Sequence, residues 1–559
     1  MTRPERVKVW AKVSEENPSA NIKAQIKQKY LAIVKTNVHL IIAMFLLISG
    51  CSHFKYDDCR VFRYNESAGI STLDPAHSRS LELMWVVDQM YDGLVELDEE
   101  LNIRPAIAES WEVNGRVYKF KLREEAKFNS GRRVEAEDVV YSLGRLSDPN
   151  VASSGGWILD AVEAVIASSK YDVEIHLKYE FPPFLGLMTT TYASIVDRKF
   201  GGDLRCETAG TGPFKLGFWV EEVALVMHKN VSYWESDEEG NQLPYLDAVH
   251  VDFVPDMGSE YLGLIQGRYD FISGLHPAYM EDLMNADGEL AEKHQGSLEL
   301  RRTPFLKTDY IGILVDDQLE NMKGHPLLNP LVRKALSLAV DRTSIASALR
   351  RNSVLPSDHF LPPSLPGATD FMSPEYDLDR AERLLEEAGF NGGEGLPEIS
   401  LGTTSDYVDL CVAIQSNWSK LGVNVNVDVA PSSVHRERVA MSKIEMFQKS
   451  WLADYADAEN FLGLFKRPNF SPSGPNYTHF HSEKFEELYS EAMASDSDSA
   501  RFRKYAKMDS IIYSETPLIP LFHDQVTHFI SSEVKDWVVS PVNRLDLRRV
   551  KLSCANAEN

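Results

Sequence analysis

DYVDLCVAIQSNWSKLGVNVNVDV, residues 406–429, decides the fold class because it joins a helical pattern to a strand pattern. We expect a helix over Asp406–Leu421, which Gly422 ends because glycine readily takes the left-handed conformation of a helix C-terminus. Valine then occupies every second position from 423 to 429, as a strand with one buried face requires. A helix followed at once by a strand is the αβ half of a crossover unit, so the stretch predicts a mixed α/β fold.

Similar patterns occur along the rest of the chain. Alternating apolar residues predict strands at Val61–Tyr64 (reaching Leu73-Asp74-Pro75), at Tyr118, Phe120 and Leu122, at Val173, Ile175 and Leu177, and at Val249, Val251 and Phe253. Helical spacing predicts helices at Ser80–Leu94, from Pro330 onward, at Asp379–Ala388 and at Ser482–Met493. In the third of these helices, Asp379 and Glu382 form a capping pair and Gly389 follows the end. Strands and helices intermix throughout, which favours several α/β domains.

The chain has 559 residues and a net charge of −25 at pH 7. This acidic balance argues against nucleic acid as a partner, because phosphates require basic residues. It also suits an exported body that repels its own copies and remains a monomer. The length exceeds what one hydrophobic core holds, so we expect two or three domains.

The apolar segment Val38–Ser49 is followed by Gly50 and Cys51. It is too short for a membrane-spanning helix, which needs ~20 residues, but it suits the apolar part of a signal peptide. Its end is similar to that of a bacterial lipoprotein signal, in which the chain is cut before the cysteine and the cysteine carries lipid. We therefore expect a basic preface and lipoprotein signal over 1–50, with a true start further in, a lipid anchor on Cys51, and an anchor linker over 51–60.

The remaining cysteines are Cys59, Cys206, Cys411 and Cys554. Export permits disulfides, and four thiols allow three full pairings, but free buried thiols fit the sequence equally well. No C-x-x-C spacing indicates a structural zinc site. His479 and His481 would share a face on a strand, yet surface or partly buried histidines are the commoner outcome. We expect no metal and no cofactor.

Enzyme motifs do not appear: the chain contains no G-x-S-x-G, H-E-x-x-H or Walker loop. Gly210-Thr211-Gly212-Pro213-Phe214 resembles a phosphate loop only loosely, because it lacks the Lys-Ser/Thr pair and Pro213 removes an amide donor. We interpret it as a tight turn before a strand. Paired acids such as Asp316-Asp317 are expected to be solvated.

The segment Ser450–Asp457, SWLADYAD, combines a large aromatic residue, small residues and two acids after a predicted strand. A buried aspartate beside aromatics has to be paired or hydrogen-bonded. A ligand ammonium group is one partner. By composition alone, a turn acid that caps nearby backbone amides is the more common case.

Blocks spread over roughly residues 61–545 resemble, in order, the family 5 extracellular solute-binding proteins. These proteins serve ABC importers of dipeptides and oligopeptides. The blocks are Arg104–Val113 (RPAIAESWEV), Tyr118–Arg123, Ala126–Phe128, Ser130–Arg132, Val134–Ser142, Gly210–Phe214 with Asn230 and Tyr233-Trp234, Pro244–Asp247, Val332–Leu336 with Val340–Arg342, and Phe360–Pro363 with Pro366-Gly367.

The resemblance implies an α/β, two-lobed, periplasmic-binding-protein-like (type II) fold with an extra domain on the first lobe. The lobes close on the ligand about a hinge. Carried onto this chain, the first lobe comprises 61–97, 205–300 and 521–559, the extra domain 98–204, and the second lobe 301–520.

The resemblance also implies the ligand-binding residues. The family's Trp-x-x-Asp motif matches Trp451 and Asp454, and the family's aspartate binds the peptide amino group, so Asp454 becomes the leading site residue. Ala453 lies within the motif and Tyr455 follows it, as in oligopeptide-binding relatives. Gly69, Ile70, Ser71 and Thr72 match the first-lobe strand that touches the ligand. Some relatives hold the peptide carboxylate with a basic residue just before the motif, where this chain has Gln448 and Lys449.

These expectations define a peptide-binding lipoprotein of an ABC importer, which captures di- or oligopeptides outside the inner membrane and delivers them to the permease and ATPase subunits. It faces the periplasm, is anchored through lipid on Cys51, and performs no chemistry. A binder of nickel chelates or another non-peptide solute is the alternative that the same family allows.

Overall fold

The computed structural model of the chain describes residues 60–274, 276–368 and 373–553. The chain divides at Asp57, and its second unit, 58–559, contains every element described below. The predicted signal over 1–50 and the predicted lipidation of Cys51 lie outside the described residues, as do Cys59 and Cys554. Within those residues, no helix has both the length and the apolar character needed to cross a membrane.

The strands are β1 Val61–Asn65, β2 Val95–Leu97, β3 Ile103–Pro105, β4 Ala108–Asn114, β5 Val117–Leu122, β6 Val162–Ala167, β7 Asp172–Leu177, β8 Phe214–Val220, β9 Ala224–Lys229, β10 Ala248–Asp252, β11 Phe271–Ser273, β12 Leu298–Ile313, β13 Val354–Pro356, β14 Ile399–Thr403, β15 Val425–Val429, β16 Met446–Leu452, β17 Leu518–Ser531, β18 Val534–Lys535 and β19 Lys551–Leu552.

The helices are α1 Leu81–Val87, α2 Ala136–Leu146, α3 Phe184–Leu187, α4 Met257–Ile265, α5 Pro277–Leu283, α6 Pro330–Leu338, α7 Arg342–Arg350, α8 Leu378–Glu387, α9 Val408–Ser419, α10 Ser432–Ala440, α11 Glu459–Leu462, α12 Glu483–Met493 and α13 Asp498–Glu515.

One mixed sheet holds eleven of the described strands, in the order β15-β14-β16-β12-β17-β11-β1-β10-β9-β8, with β13 paired to β17. We call β8–β11 with β1 the first half-sheet and β14–β16 the second half-sheet. β1 runs parallel to β10 and β11, and β14 runs parallel to β15 and β16. In parallel α/β sheets, ligands bind beyond the carboxyl ends of the strands, which directs attention to the residues that follow β1 and β16.

Two long antiparallel strands join the half-sheets. β12 and β17 pair from Leu298 opposite Ser531 to Gly312 opposite Leu518, with a register shift between Pro304 and Thr308. β17 also pairs with β11 of the first half-sheet, and β12 pairs with β16 of the second. The predicted lobe boundaries at 300/301 and 520/521 fall within these strands and remain predictions.

A separate antiparallel sheet, in the order β4-β5-β7-β6, lies within the predicted extra domain 98–204. Its strand β5 alternates buried and exposed residues, as Tyr118, Phe120 and Leu122 predicted. These side chains pack in one apolar core with helix α2 and with the first turn of α3.

The helix-strand unit that decided the fold class is confirmed. Helix α9 follows a 3-10 turn over Ser405–Tyr407, Gly422 has a φ of +74°, and β15 pairs in parallel with β14. The strand alternation is weaker than the valine pattern suggests, because Val429 lies at the sheet edge and is 49% exposed. The predicted strands at β1, β7 and β10 and the helices at α6, α8 and α12 are also present.

Three local expectations were wrong. The strand from Val61 ends at Asn65 instead of reaching Leu73-Asp74-Pro75, and the helix predicted over Ser80–Leu94 ends at Val87. Helix α8 starts earlier than predicted: Asp377, rather than Asp379, is the N-cap, and its side chain accepts from the Arg380 amide.

Two of the four remaining cysteines can be placed. Cys206 is exposed and Cys411 is buried, and both are free thiols. Burial raises the pKa of the Cys411 thiol to about 11, which keeps it protonated at neutral pH. These two positions therefore fit unpaired thiols rather than a fully bridged set.

Strand β8 begins at Phe214, so the segment Gly210–Phe214 precedes a strand as predicted. It is a bend rather than a tight turn, because the amides of Gly212 and Phe214 donate to the carbonyl oxygens of Met90 and Gln89. The bend packs directly on the backbone that follows α1: a Cβ on Gly212 would lie 2.4 Å from the carbonyl carbon of Met90. The glycines therefore serve close backbone packing.

We expect Gly212→Ala to lower the free energy of unfolding by ~1–3 kcal/mol, because the methyl group forces the two backbones apart. Gly144 is the matched control. It lies on helix α2, and the position that a methyl group would take there has no atom within 4 Å, so Gly144→Ala should stabilise the protein by ~0.5–1 kcal/mol. Urea unfolding of both variants measures the difference, and equal effects would contradict the packing argument.

Candidate functional site

The Trp-x-x-Asp segment lies where β16 leaves the sheet. Trp451 is the penultimate residue of β16, opposite Thr308 of β12. The indole Nε1 of Trp451 donates to Asn460 Oδ1 at 3.0 Å, and the backbone amide of Asp454 donates to the same oxygen at 3.3 Å. The Ala453 amide donates to the Leu306 carbonyl oxygen at 2.9 Å. The backbone amides of Ala453 and Asp454 are thus hydrogen-bonded within the protein, and the residue Asp454 is exposed.

The Asp454 carboxyl group is accessible to solvent but surrounded by protein on several sides. Partial desolvation raises its pKa, and the hydrogen bond from Asn460 opposes that shift. Among the described residues, no cation lies within ion-pair distance of Asp454 and no backbone amide donates to its carboxylate. A carboxylate in this state gains most from an incoming ammonium group, because the ligand supplies the missing countercharge.

The amide-capping role considered for this segment belongs to its other acid. Asp457 is buried and accepts a hydrogen bond from the Glu459 amide at 2.9 Å. The Arg501 guanidinium group donates to Asp457 at 3.1 Å, and both residues are 6% exposed. Asp457 therefore fixes the start of α11, and the two acids of the segment have different environments.

Tyr455 faces the four-stranded domain. Its ring stacks on Trp157, with ring centroids 6.3 Å apart, and packs against the core of that domain. Its hydroxyl group donates to the buried Glu459 carboxylate, which also accepts from Tyr489. Tyr455 thus packs between the segment that follows β16 and the four-stranded domain. Its contact with a ligand remains a prediction.

Gly69, Ile70, Ser71 and Thr72 do not form the strand that the resemblance implied. They lie in a loop, in which Gly69 has a φ of +66° and Thr72 Oγ1 accepts from the Asp74 amide at 3.1 Å. Ile70 packs on the core of the first half-sheet, and Ser71 is exposed. The reason is local: β1 ends at Asn65, and Asp74 is held through its ion pair with Arg145 at 2.6 Å.

Neither residue before the motif forms an ion pair in the described part of the chain. Gln448 is 3% exposed, and its amide nitrogen is buried without a hydrogen-bond partner. The Lys449 ammonium group lies over the Tyr477 ring, 4.5 Å from its centroid, and desolvation lowers its pKa. Lys449 is therefore the cation nearest in sequence to the motif that has no carboxylate partner here.

The histidine pair does not form a metal site. His479 lies outside any strand, with a φ of +52°, and its ring contacts Asp316 at 2.9 Å and Ser471 at 3.0 Å. Asp316 is consequently paired rather than solvated, which corrects the prediction. In the described ranges, no group of three or more His, Cys, Asp or Glu side chains has a geometry that could hold a metal ion.

A second feature lies beyond the carboxyl ends of β1 and β11. A cavity of about 400 Å³ opens there, and its lining includes Glu66 and Ser67, which directly follow β1. The sequence patterns missed it because its walls come from β1, α1, α4, β11 and the start of α5. The signal available was the position of Asn65-Glu66-Ser67 at the end of a parallel strand.

The sheet order, the two crossing strands and the placement of both features beyond strand ends define a two-lobed binding protein of the periplasmic type, with mixed α/β sheets. The solved structure of HbpA2 from Haemophilus parasuis has the same fold, with a TM-score of 0.79 at 24% identity, covering 88% of this chain and 100% of that one.

Residues 102–473 match the model of the bacterial extracellular solute-binding proteins, family 5, and the chain belongs to this family. The periplasmic oligopeptide-binding protein OppA of Salmonella typhimurium is 28% identical over 512 residues, which cover 85% of this chain and 88% of the relative. The dipeptide-binding protein DppE of Bacillus subtilis is 27% identical over 499 residues, which cover 83% of this chain and 86% of the relative. The family resemblance drawn from the sequence blocks is thereby confirmed.

Proposed function

We propose that this protein is the peptide-binding component of an ABC importer, exported and anchored through lipid on Cys51. The observation that carries the proposal is Asp454: an accessible carboxyl group with a raised pKa, held at the end of β16 without a countercharge among the described residues. A peptide's α-ammonium group supplies that charge. The names of OppA and DppE support a peptide as the ligand.

The proposed ligand lies extended beyond the ends of β1 and β16. A strand-like peptide makes main-chain hydrogen bonds and leaves its side chains to separate pockets, which explains tolerance of varied sequences. Trp451 and Ala453 form the second-lobe wall next to Asp454, and Gly69–Thr72 lie on the first lobe. We propose the lobes as predicted, with closure about β12 and β17 and delivery to the permease and ATPase subunits.

Native mass spectrometry of the protein purified from its own host's envelope tests this proposal. A heterogeneous mass increment of a few hundred daltons that disappears on denaturation is the expected result, because a peptide binder retains a mixture. A single sharp increment would overturn it in favour of one defined solute, such as a metal chelate. The same spectrum reports lipid on Cys51 as a separate mass shift that persists on denaturation.

A further inference from the structure

The cavity beyond β1 and β11 has aromatic walls. Trp85 of α1 lines one side, and its indole Nε1 is fixed by donation to the Asn543 carbonyl oxygen at 2.6 Å. Tyr261 and Tyr279 line another side, with rings that are parallel within 8° and centroids 4.8 Å apart. The volume of about 400 Å³ falls in the range of sites that bind small organic groups.

Three carboxyl groups share this cavity: Glu66, Glu82 and Glu260. Glu260 accepts a hydrogen bond from Asn65 Nδ2 at 3.2 Å. Among the described residues, none of the three has an ion-pair partner, and the lining includes no lysine or arginine. Elsewhere in the protein, buried acids such as Asp457 and Asp74 have arginine partners. The cavity thus brings together three carboxyl groups for which the described residues supply no countercharge.

A buried hydroxyl group lies behind the same wall. Tyr64 is 1% exposed, its hydroxyl has no hydrogen-bond partner among the described residues, and its ring meets Trp85 edge-on at 6.2 Å. Desolvation raises the pKa of this hydroxyl group, and the negative charge of the nearby Glu66 adds to the shift. A buried hydroxyl group without a hydrogen-bond partner costs free energy, so the Tyr64 hydroxyl next to this wall is a feature that requires an explanation.

We propose that this cavity binds a cationic organic group, and that in a peptide ligand this group is a lysine or arginine side chain. The inference rests on the proposed peptide-binding function and names its substrate class. Aromatic faces together with carboxylates attract ammonium and guanidinium groups. In the described residues, no three His, Cys, Asp or Glu side chains have a geometry that could hold a metal ion, so an organic cation fits the lining better. The protein is therefore selective for basic peptides.

The cavity's electrostatics give the selectivity a pH dependence. Desolvation, with Glu82 and Glu260 adding to it, raises the pKa of Glu66 to about 8. The other titratable groups facing it are Tyr64, Tyr261, His276 and Tyr279. A bound cation favours the ionised form of Glu66, so binding releases a proton below pH 8. The preference for a lysine side chain should therefore increase from pH 6 to about pH 8 and then level off.

The test compares tripeptides that carry lysine or norleucine at each position in an alanine background, by isothermal titration calorimetry. We expect at least tenfold tighter binding of the lysine peptide at one position. Both peptides carry the same α-amino group, so its titration affects both affinities equally. The ratio of the lysine-peptide affinity to the norleucine-peptide affinity is therefore independent of it. Glu66→Gln and Glu82→Gln should bring the ratio toward one and remove its pH dependence. The exposed Glu238→Gln is the matched control and should leave the ratio unchanged.

Equal affinities for lysine and norleucine at every position, or a preference that survives both glutamine variants, would overturn the inference while leaving peptide binding intact. If no peptide binds, the proposed function fails and the cavity is tested with agmatine, a free organic cation, by ligand-observed NMR. Binding of agmatine that is lost in the Glu66→Gln/Glu82→Gln variant supports the cation site, and no binding overturns it.

Discussion

Replacing Asp454 with alanine is expected to weaken peptide binding by ~2–5 kcal/mol, the usual result of deleting one partner of a buried charge pair. Asp454 has no cation partner among the described residues, and its pKa is raised by partial desolvation. In the proposed closed form, the peptide's ammonium group would become that partner in a site from which water is excluded. Asp454→Ala should therefore weaken peptide binding strongly and change the free energy of unfolding little.

Titration calorimetry with one peptide that copurifies with the protein measures this effect. Asp287→Ala is the control, because Asp287 is exposed and lies in a loop of the other half of the fold. A peptide acetylated at its N-terminus should lose comparable affinity for the wild-type protein and lose little more in Asp454→Ala. Unchanged affinity of Asp454→Ala for free peptides would remove Asp454 as the amine-binding residue.

Replacing Arg501 with methionine is expected to lower the free energy of unfolding by ~3–5 kcal/mol, because it leaves a charge buried without its partner. Asp457 is 6% exposed, and in the variant it would keep the Glu459 amide as a donor but lose its guanidinium partner. Desolvation already raises the pKa of Asp457, and Arg501 opposes that shift. Without Arg501, the pKa of Asp457 in the folded protein rises further. The loss in free energy of unfolding is therefore complete at neutral pH and becomes smaller as acid protonates Asp457.

Denaturant unfolding at pH 7 and at pH 4.5 checks both the size of the effect and its sign. Arg503→Met is a matched control on the same helix, since Arg503 is exposed and donates to Ser499 Oγ at 2.7 Å. It should change stability by no more than ~0.5 kcal/mol. A deficit in Arg501→Met that grows on acidification would contradict the charge argument.

The sequence predicted the fold class and family well, because both depend on features that are local in the chain. The periodicity around Gly422 defined a parallel αβ unit, and ordered blocks from Arg104 to Gly367 defined the family. Element ends were predicted less well. Asp377 and Asp379 both offer a carboxylate near the start of α8, and only the backbone geometry decides which of them caps it.

The site was predicted in part for a related reason. The Trp-x-x-Asp motif is contiguous, so the sequence alone proposes Asp454 as a site residue. Its lack of a cation partner among the described residues and its partial desolvation depend on the fold, and no short pattern encodes them. Tyr455 follows the motif in sequence, yet it packs on Trp157 of a distant segment. The cavity beside Glu66 was missed because five separate segments build it.

The strands β12 and β17 limit how the two half-sheets move. Two connecting loops would leave one half-sheet free to rotate, whereas a hydrogen-bonded pair of strands resists twisting. The pair bends most easily where its register shifts, between Pro304 and Thr308 and between Asp309 and Tyr310. We expect the two half-sheets to open and close by a hinge motion along a single path. Ligands with different side chains would then be enclosed by the same motion. The stiffness of the few residues at the register shifts, far from the ligand, would set how often the protein closes without a ligand.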